Sequence, residues 1–308
     1  PRNFQMEDFA NYVLIGVRRA GKSFMLYQQI QQNLKRGITW DSMLYINFED
    51  ERLMGMTAQE LNLILEVHGM MSKERPILFL DEIQNINGWE NIHLADRIEK
   101  ETGLPALLGN DANLMGLGET MYGAGQGATH VVFLTVGTGI GGAVVIDGKL
   151  FNGYANRGTE LGHVPLIANG EPCACGSVGC LEHYASTAAL VRRFSKRIAE
   201  AGISYPNEEI NGELIVRLYK QGDKIAAESL NEHCDFLGHG IAGFINIFSP
   251  QRVVIGGGLS EAGDFYIQKV SEKARSYAIP DCAVNTQIIA AALGNKAGSI
   301  GAASLFFK

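Results

Sequence analysis

The chain of 308 residues is 46% hydrophobic and 19% charged, an ordinary globular composition with ample material for a core and no sign of disorder. Its formal charge of −7 speaks against nucleic acid as the main partner, since phosphate binding needs concentrated positive charge. No stretch approaches the roughly 18 uninterrupted apolar residues that span a bilayer, and no secretory leader is visible.

In chain order, 12-YVLIG-16 reads as a short buried strand, followed by a glycine-bounded loop and a helix over 22–37 that Gly37 stops. A second strand is expected at 43-MLYINF-48 and a third at 76-PILFL-80, a parallel α/β layout. The run 16-GVRRAGKS-23 fits the phosphate-loop spacing between a strand and a helix. Gly16 and Gly21 let the backbone curl around a phosphate, Lys22 adds charge at the outer phosphates of ATP, and the Ser23 hydroxyl suits Mg²⁺. Further on, Asp81 at a strand end would hold Mg²⁺ and Glu82 would polarise an attacking water. A surface Gly-Lys-Ser turn and a strand-end acid pair are the plainer alternative, which the shared order and context of the two motifs weaken.

With 44-LYINFEDERL-53 and 78-LFLDEIQNINGWE-90, this stretch resembles the N-terminal part of bacterial AAA-type ATPases over residues 1–90. Such an ATPase continues with a sensor strand, an arginine finger and a helical lid. None follows here, and three strands fall short of its five-stranded core, so the resemblance implies a partial P-loop unit with weakened nucleotide binding.

Composition changes near 84-QNINGWENI-92, where a turn and a domain boundary are expected, with domains at 1–90 and 91–308. Beyond it, 104-LPALLG-109, 130-HVVFLTVG-137, 143-AVVIDGKLF-151 and 252-RVVIGG-257 read as strands, and 187–202 and 223–248 as helices. Asp147-Gly148 signals a hairpin. The expectation is again α/β, with a mixed sheet.

Cys173, Cys175 and Cys180 are spaced C-x-C-x₄-C, while Cys234 and Cys282 stand alone. With His163 in 160-ELGH-163 they supply a tetrahedral Cys₃His set for Zn²⁺. Four protein ligands leave no position open for water, so such a zinc is structural. Buried or oxidisable thiols are the plainer alternative; His130 and His183 read as ordinary polar residues. A thiol cluster of this kind points to a cytoplasmic enzyme.

The cysteine motif, 109-GNDANLMGLGE-119, 134-LTVGTGIGGAVV-145, 158-GTELGHVPL-166 and 254-VIGGGLS-260 together resemble the ROK family (repressors, open reading frames and sugar kinases) from about Ile92 to Lys308. The resemblance implies a two-lobed, actin-like (ribonuclease H-like) fold and a glucokinase-like enzyme that phosphorylates a hexose with ATP and Mg²⁺. It implies Asp111 as general base, with Asn110, Asp111, Glu160, His163 and Glu182 holding the sugar, and His163 serving zinc and sugar with different ring nitrogens. Gly137, Thr138, Gly139, Gly141 and Gly142 would meet the ATP phosphates, and Gly256, Gly257 and Gly258 would admit adenosine. Standing alone, Asp111 would read as a helix cap and each glycine run as a turn.

A complete relative opens with an Asp-x-Gly-x-Thr phosphate loop, which this sequence lacks. The expectation is therefore an incomplete kinase fold behind a partial ATPase, a chimera made by recombination, cloning or assembly, with impaired catalysis. Loss of its sheet neighbours should leave the strand near 104–109 with an open edge. A hexose kinase ranks first, an ATPase acting through the N-terminal loop second, and a non-catalytic sugar-binding regulator third. Partners are a hexose and ATP, with no nucleic acid or membrane, and a dimer or tetramer is implied by the resemblance.

Overall fold

A computed structural model describes residues 22–48, 50–53, 55–74, 76–81, 83, 86, 95, 96, 99, 100, 103–206 and 208–306. The expected strand at 12–16, with Gly16, Gly21 and Glu82, lies outside the described residues. The chain divides into two compact units, Pro1–Leu107 and Leu108–Lys308.

In the first unit, α1 (Lys22–Lys35) precedes β1 (Met43–Asn47), α2 (Leu61–Met71) and β2 (Ile77–Asp81). The two strands pair in parallel, from Met43 opposite Ile77 to Asn47 opposite Asp81. Ile30 of α1 packs on Met43 and Phe79 in a small core. The spacing of Leu26, Ile30 and Leu34 puts one apolar stripe of α1 on the strands. Residues 104–109 form no strand, contrary to expectation: they run without regular structure, with Leu104, Leu107 and Leu108 exposed. An extended segment becomes a strand only when a neighbour takes its ladder hydrogen bonds.

The second unit is built on one mixed sheet. Its elements are α3 (Asp111–Tyr122), β3 (Val131–Val136), β4 (Ile140–Ile146), β5 (Lys149–Leu150), α4 (Leu181–Ala185), α5 (Thr187–Glu200), α6 (Gly212–Lys220), α7 (Lys224–Phe248), β6 (Arg252–Gly256), α8 (Asp264–Tyr277), α9 (Pro280–Ala283), β7 (Gln287–Ala290) and α10 (Ala297–Ser304). Strand order is β5-β4-β3-β6-β7. The pairs β3–β4 and β4–β5 are antiparallel, and β3–β6 and β6–β7 are parallel. Asp147 and Gly148 both take positive φ in the turn between β4 and β5, the conformation that two-residue hairpins favour.

Central strand β3 is buried at every position. Its alternate side chains divide the core: Val132, Leu134 and Val136 join the cluster that includes residues of α5, α6, α7 and α8, whereas Val131 and Phe133 join the one that includes Met115 of α3. Helices therefore cover both faces.

His233 of α7 is fully buried, 2.9 Å from the Tyr266 hydroxyl, with its other ring nitrogen unpaired. Burial, reinforced by the Arg193 charge, pushes its pKa down to about 3. The unfolded chain, with His near 6.5, therefore binds the extra proton between these values. This group costs nothing above about pH 6.5 and destabilises the fold below it, by at most about 1.4 kcal/mol per pH unit. Urea unfolding at pH 7 and pH 5 should thus show a larger acid loss for wild type than for His233→Gln; equal losses would contradict this assignment.

Candidate functional site

Among the described residues, His163, Cys173, Cys175 and Cys180 bring their ligand atoms within 4.8 Å of one another. Cys173 Sγ lies 3.7 Å from His163 Nδ1, and Cys175 Sγ lies 3.6 Å from Cys180 Sγ. The sulfur pair is too far apart for a disulfide bond of about 2.05 Å. Ligands of a tetrahedral zinc, each about 2.0–2.3 Å from the metal, lie about 3.3–3.8 Å from one another. These two distances fit that edge length, and a Cys₃His donor set suits this ion.

Backbone bonds build the cluster. Pro165 bridges to Cys180 and Pro172 to Val178, both antiparallel. Within that loop the Cys173 N–H donates to the Ser177 carbonyl at 2.8 Å, and the Gly176 N–H to the Cys173 carbonyl at 3.0 Å. Burial and the other sulfurs push the Cys180 thiol up to about 12. Exposed Cys175 is held below its ordinary value, chiefly by the Ser177 backbone. A cation is what would make all three sulfurs thiolates together.

Two residues beyond Cys180, Glu182 reaches the tight turn between β3 and β4. Its Oε2 accepts the Ile140 N–H at 2.8 Å. The turn is also held by the Thr187 N–H, which donates to the Gly137 carbonyl at 2.8 Å. The Gly137 N–H also closes the turn onto the Gly139 carbonyl at 2.9 Å.

Two glycines make this packing possible. A Cβ on Gly139 would overlap the Glu182 carboxylate, and one on Gly141 would stand 2.7 Å from the Ala112 Cβ. The first turn of α3 is thereby laid against the hairpin.

That first turn carries Asn110 and Asp111. Asn110 caps the helix, its side-chain oxygen accepting the Asn113 N–H at 3.2 Å. Asp111 is exposed, and one carboxyl oxygen accepts the Ala112 N–H at 2.8 Å. Asn113 is buried and accepts from the Thr159 hydroxyl at 2.9 Å, pinning the loop that bears Glu160 and His163 to α3. Sequence reasoning missed this pin, although both residues sit inside the quoted motifs. Gly256 pairs with Thr135, so the Gly256–Gly258 turn follows β6 at the same sheet end as the Gly137–Gly139 turn follows β3. Ligands of α/β sheets bind at such carboxyl ends.

The remaining expectations fall elsewhere. Lys22 and Ser23 open α1. Asp81 is buried at the end of β2 and accepts the Tyr45 hydroxyl at 2.8 Å. Burial first, then the Tyr27 hydroxyl and Asp81, push the Tyr45 pKa up. His130 lies beside Thr129 and Asp147, and His183 edge-on to Tyr184, both outside the cysteine cluster.

A model of the ROK family matches residues 54–308, beginning upstream of the boundary expected at 90/91. The chain is 40% identical over 228 residues to a glucokinase of Thermotoga maritima, covering 72% of each chain. It resembles the crystal structure of a ROK glucokinase from Streptomyces griseus in complex with glucose and AMPPNP, with a TM-score of 0.64 and 32% identity over 82% of this chain and 89% of that one. A ROK hexokinase from Thermus thermophilus gives a TM-score of 0.62 and 34% identity over 72% of each.

The close approach at Gly141 yields a direct test. Gly141→Ala places a methyl group against Ala112 and Thr135, and overpacking of this kind costs about 1–3 kcal/mol. Urea denaturation should show a loss in that range; an unchanged midpoint would mean that α3 does not rest on the hairpin.

Proposed function

The chain belongs to the ROK family, and from that premise we propose that it is an ATP-dependent hexose kinase of the glucokinase type. The observation that carries this function is the placement of Asp111 on a helix turn packed against the glycine hairpin, beside the loop of Glu160 and His163. A sugar hydroxyl is a poor nucleophile. Asp111 accepts its proton on the carboxyl oxygen not engaged by Ala112 while the hydroxyl oxygen attacks the γ-phosphorus. The bond from the γ-phosphorus to its bridging oxygen breaks, and ADP leaves with that oxygen.

Asn110, Glu160, His163 and Glu182 orient the sugar, whose neighbouring hydroxyls pair well with carboxylates. Thr138 and the glycines of 137–142 receive the phosphates, and Gly256–Gly258 the adenosine. Mg²⁺ accompanies the nucleotide and neutralises charge on its phosphates. His163, Cys173, Cys175 and Cys180 would hold a structural Zn²⁺, which fixes the loop and orients the His163 ring. With Nδ1 facing Cys173, Nε2 is the ring atom left for the sugar.

We assign residues 1–90 to a partial AAA-type P-loop unit joined to the kinase segment 91–308. The parallel pair behind α1 and the strand-end Asp81 support this, although the family match from residue 54 overlaps the end of the stretch. The cysteine cluster supports a cytoplasmic location, and the exposed Ile247, Ile279 and Val284 support a homo-oligomer.

A coupled assay of glucose phosphorylation tests the assignment. Asp111→Ala should lower kcat about 10²–10⁴-fold, the usual range for a general base, and Lys22→Ala should leave it unchanged. Loss with only the lysine change would assign ATP binding to the N-terminal loop instead. Metal analysis should find about one zinc per chain in wild type and much less in Cys180→Ser, with a lower melting temperature. Equal zinc in both would refute the cluster as its site.

A further inference from the structure

The hexose-kinase reading leaves one buried acid without a role. Glu119, near the far end of α3, is fully buried, an unusual place for a carboxyl group. Its partners are all backbone donors. Oε2 accepts the Ala124 N–H at 2.8 Å and the Ala292 N–H at 3.0 Å, and Oε1 accepts the Leu293 N–H at 2.7 Å. Ala124 follows α3 itself, whereas Ala292 and Leu293 belong to the segment after β7. One side chain thus bolts α3 to a stretch of chain more than 170 residues away.

Each end of that bolt leads to a different half of the proposed site. Eight residues before Glu119 on the same rigid helix, about 12 Å along its axis, stands Asp111. At the other end, the 291–294 segment abuts the turn assigned to adenosine. The Ala291 N–H donates to the Ile255 carbonyl at 2.8 Å, and a Cβ on Gly256 would meet the Ala291 Cβ at 3.4 Å. The segment then leads into α10, which lies so close along α3 that a Cβ on Gly118 or Gly301 would overlap the facing backbone. No such continuous backbone contact is needed merely to fill a core.

We propose that Glu119 is a positioning residue that couples nucleotide binding to the hexose site: its carboxyl group makes α3 and the 291–294 segment move as one body, so that occupancy beside Gly256–Gly258 is transmitted to Asp111. The coupling is reciprocal, as linkage requires. This inference rests on the kinase reading and deepens it.

Glu119→Gln keeps the shape of the side chain but turns one acceptor oxygen into an amide that faces backbone donors, so three bonds can no longer be made. Calorimetric titration of the full chain with AMPPNP, with and without saturating glucose, reads the coupling without requiring turnover. Wild type should bind AMPPNP about fivefold or more tightly when glucose is present, the lower end of ordinary coupling. In Glu119→Gln both ligands should still bind, while that ratio falls to about one. A ratio unchanged by the substitution, or a wild-type ratio of one, overturns the proposal and leaves the kinase assignment standing. Failure of wild type to bind either ligand overturns both. A purely structural bolt would lower the melting temperature and leave the ratio intact. Should Glu119→Gln not fold, Gly123→Ala carries the same test, because a methyl there lands on the Glu119 carboxyl group and dislodges it.

Discussion

The hydrogen bond from the Ile140 N–H to the Glu182 carboxylate holds the site together. It joins two segments 42 residues apart, the turn that would receive phosphate and the helix that leaves the cysteine loop. Cys180 is the residue just before the helix that carries Glu182, so the cysteine cluster and the carboxylate that holds the hairpin are two residues apart in the chain. The absence of side chains at Gly139 and Gly141 lets the carboxylate and α3 approach the turn at all. Glycine is conformationally costly inside a sheet, and here it lets Glu182 and the first turn of α3 both lie against the one hairpin.

The loop from His163 to Cys180 has little core of its own. Cys180 and Leu181 are buried, but Cys175 is exposed and Cys173 only half-covered. Two isolated bridges and a few turn bonds hold the chain, too little to offset the backbone entropy of so long a loop by themselves. A metal held by these four side chains would add order to the loop, since the free energy of binding such an ion is also free energy of folding. The same ion would set the orientation of His163, one of the proposed sugar contacts.

How much of this could be read in the sequence follows from the range of each interaction. The C-x-C-x₄-C spacing encodes the ligand set almost locally, with His163 ten residues upstream, and the four side chains do converge. Strands β3, β4 and β6 were legible from apolar runs, and the hairpin at Asp147-Gly148 from its dipeptide. The Thr159–Asn113 pin, the Glu182–Ile140 bond and the Glu119 bolt were not, because each depends on which segments the fold sets side by side. The expected strand at 104–109 shows the opposite failure: its leucines suggest a strand, yet the residues take no regular structure, because a short apolar run does not by itself fix a conformation.

For this function, hexose and nucleotide must meet at the hairpin beside Asp111. A crystal structure of the chain with glucose and AMPPNP measures this directly. The expected result is a sugar hydroxyl within hydrogen-bond reach of the Asp111 carboxylate, about 2.6–3.2 Å, and facing the γ-phosphate over the Gly137–Gly142 turn. Glucose bound away from Asp111, or a nucleotide seated beside Lys22 instead of that turn, would contradict it.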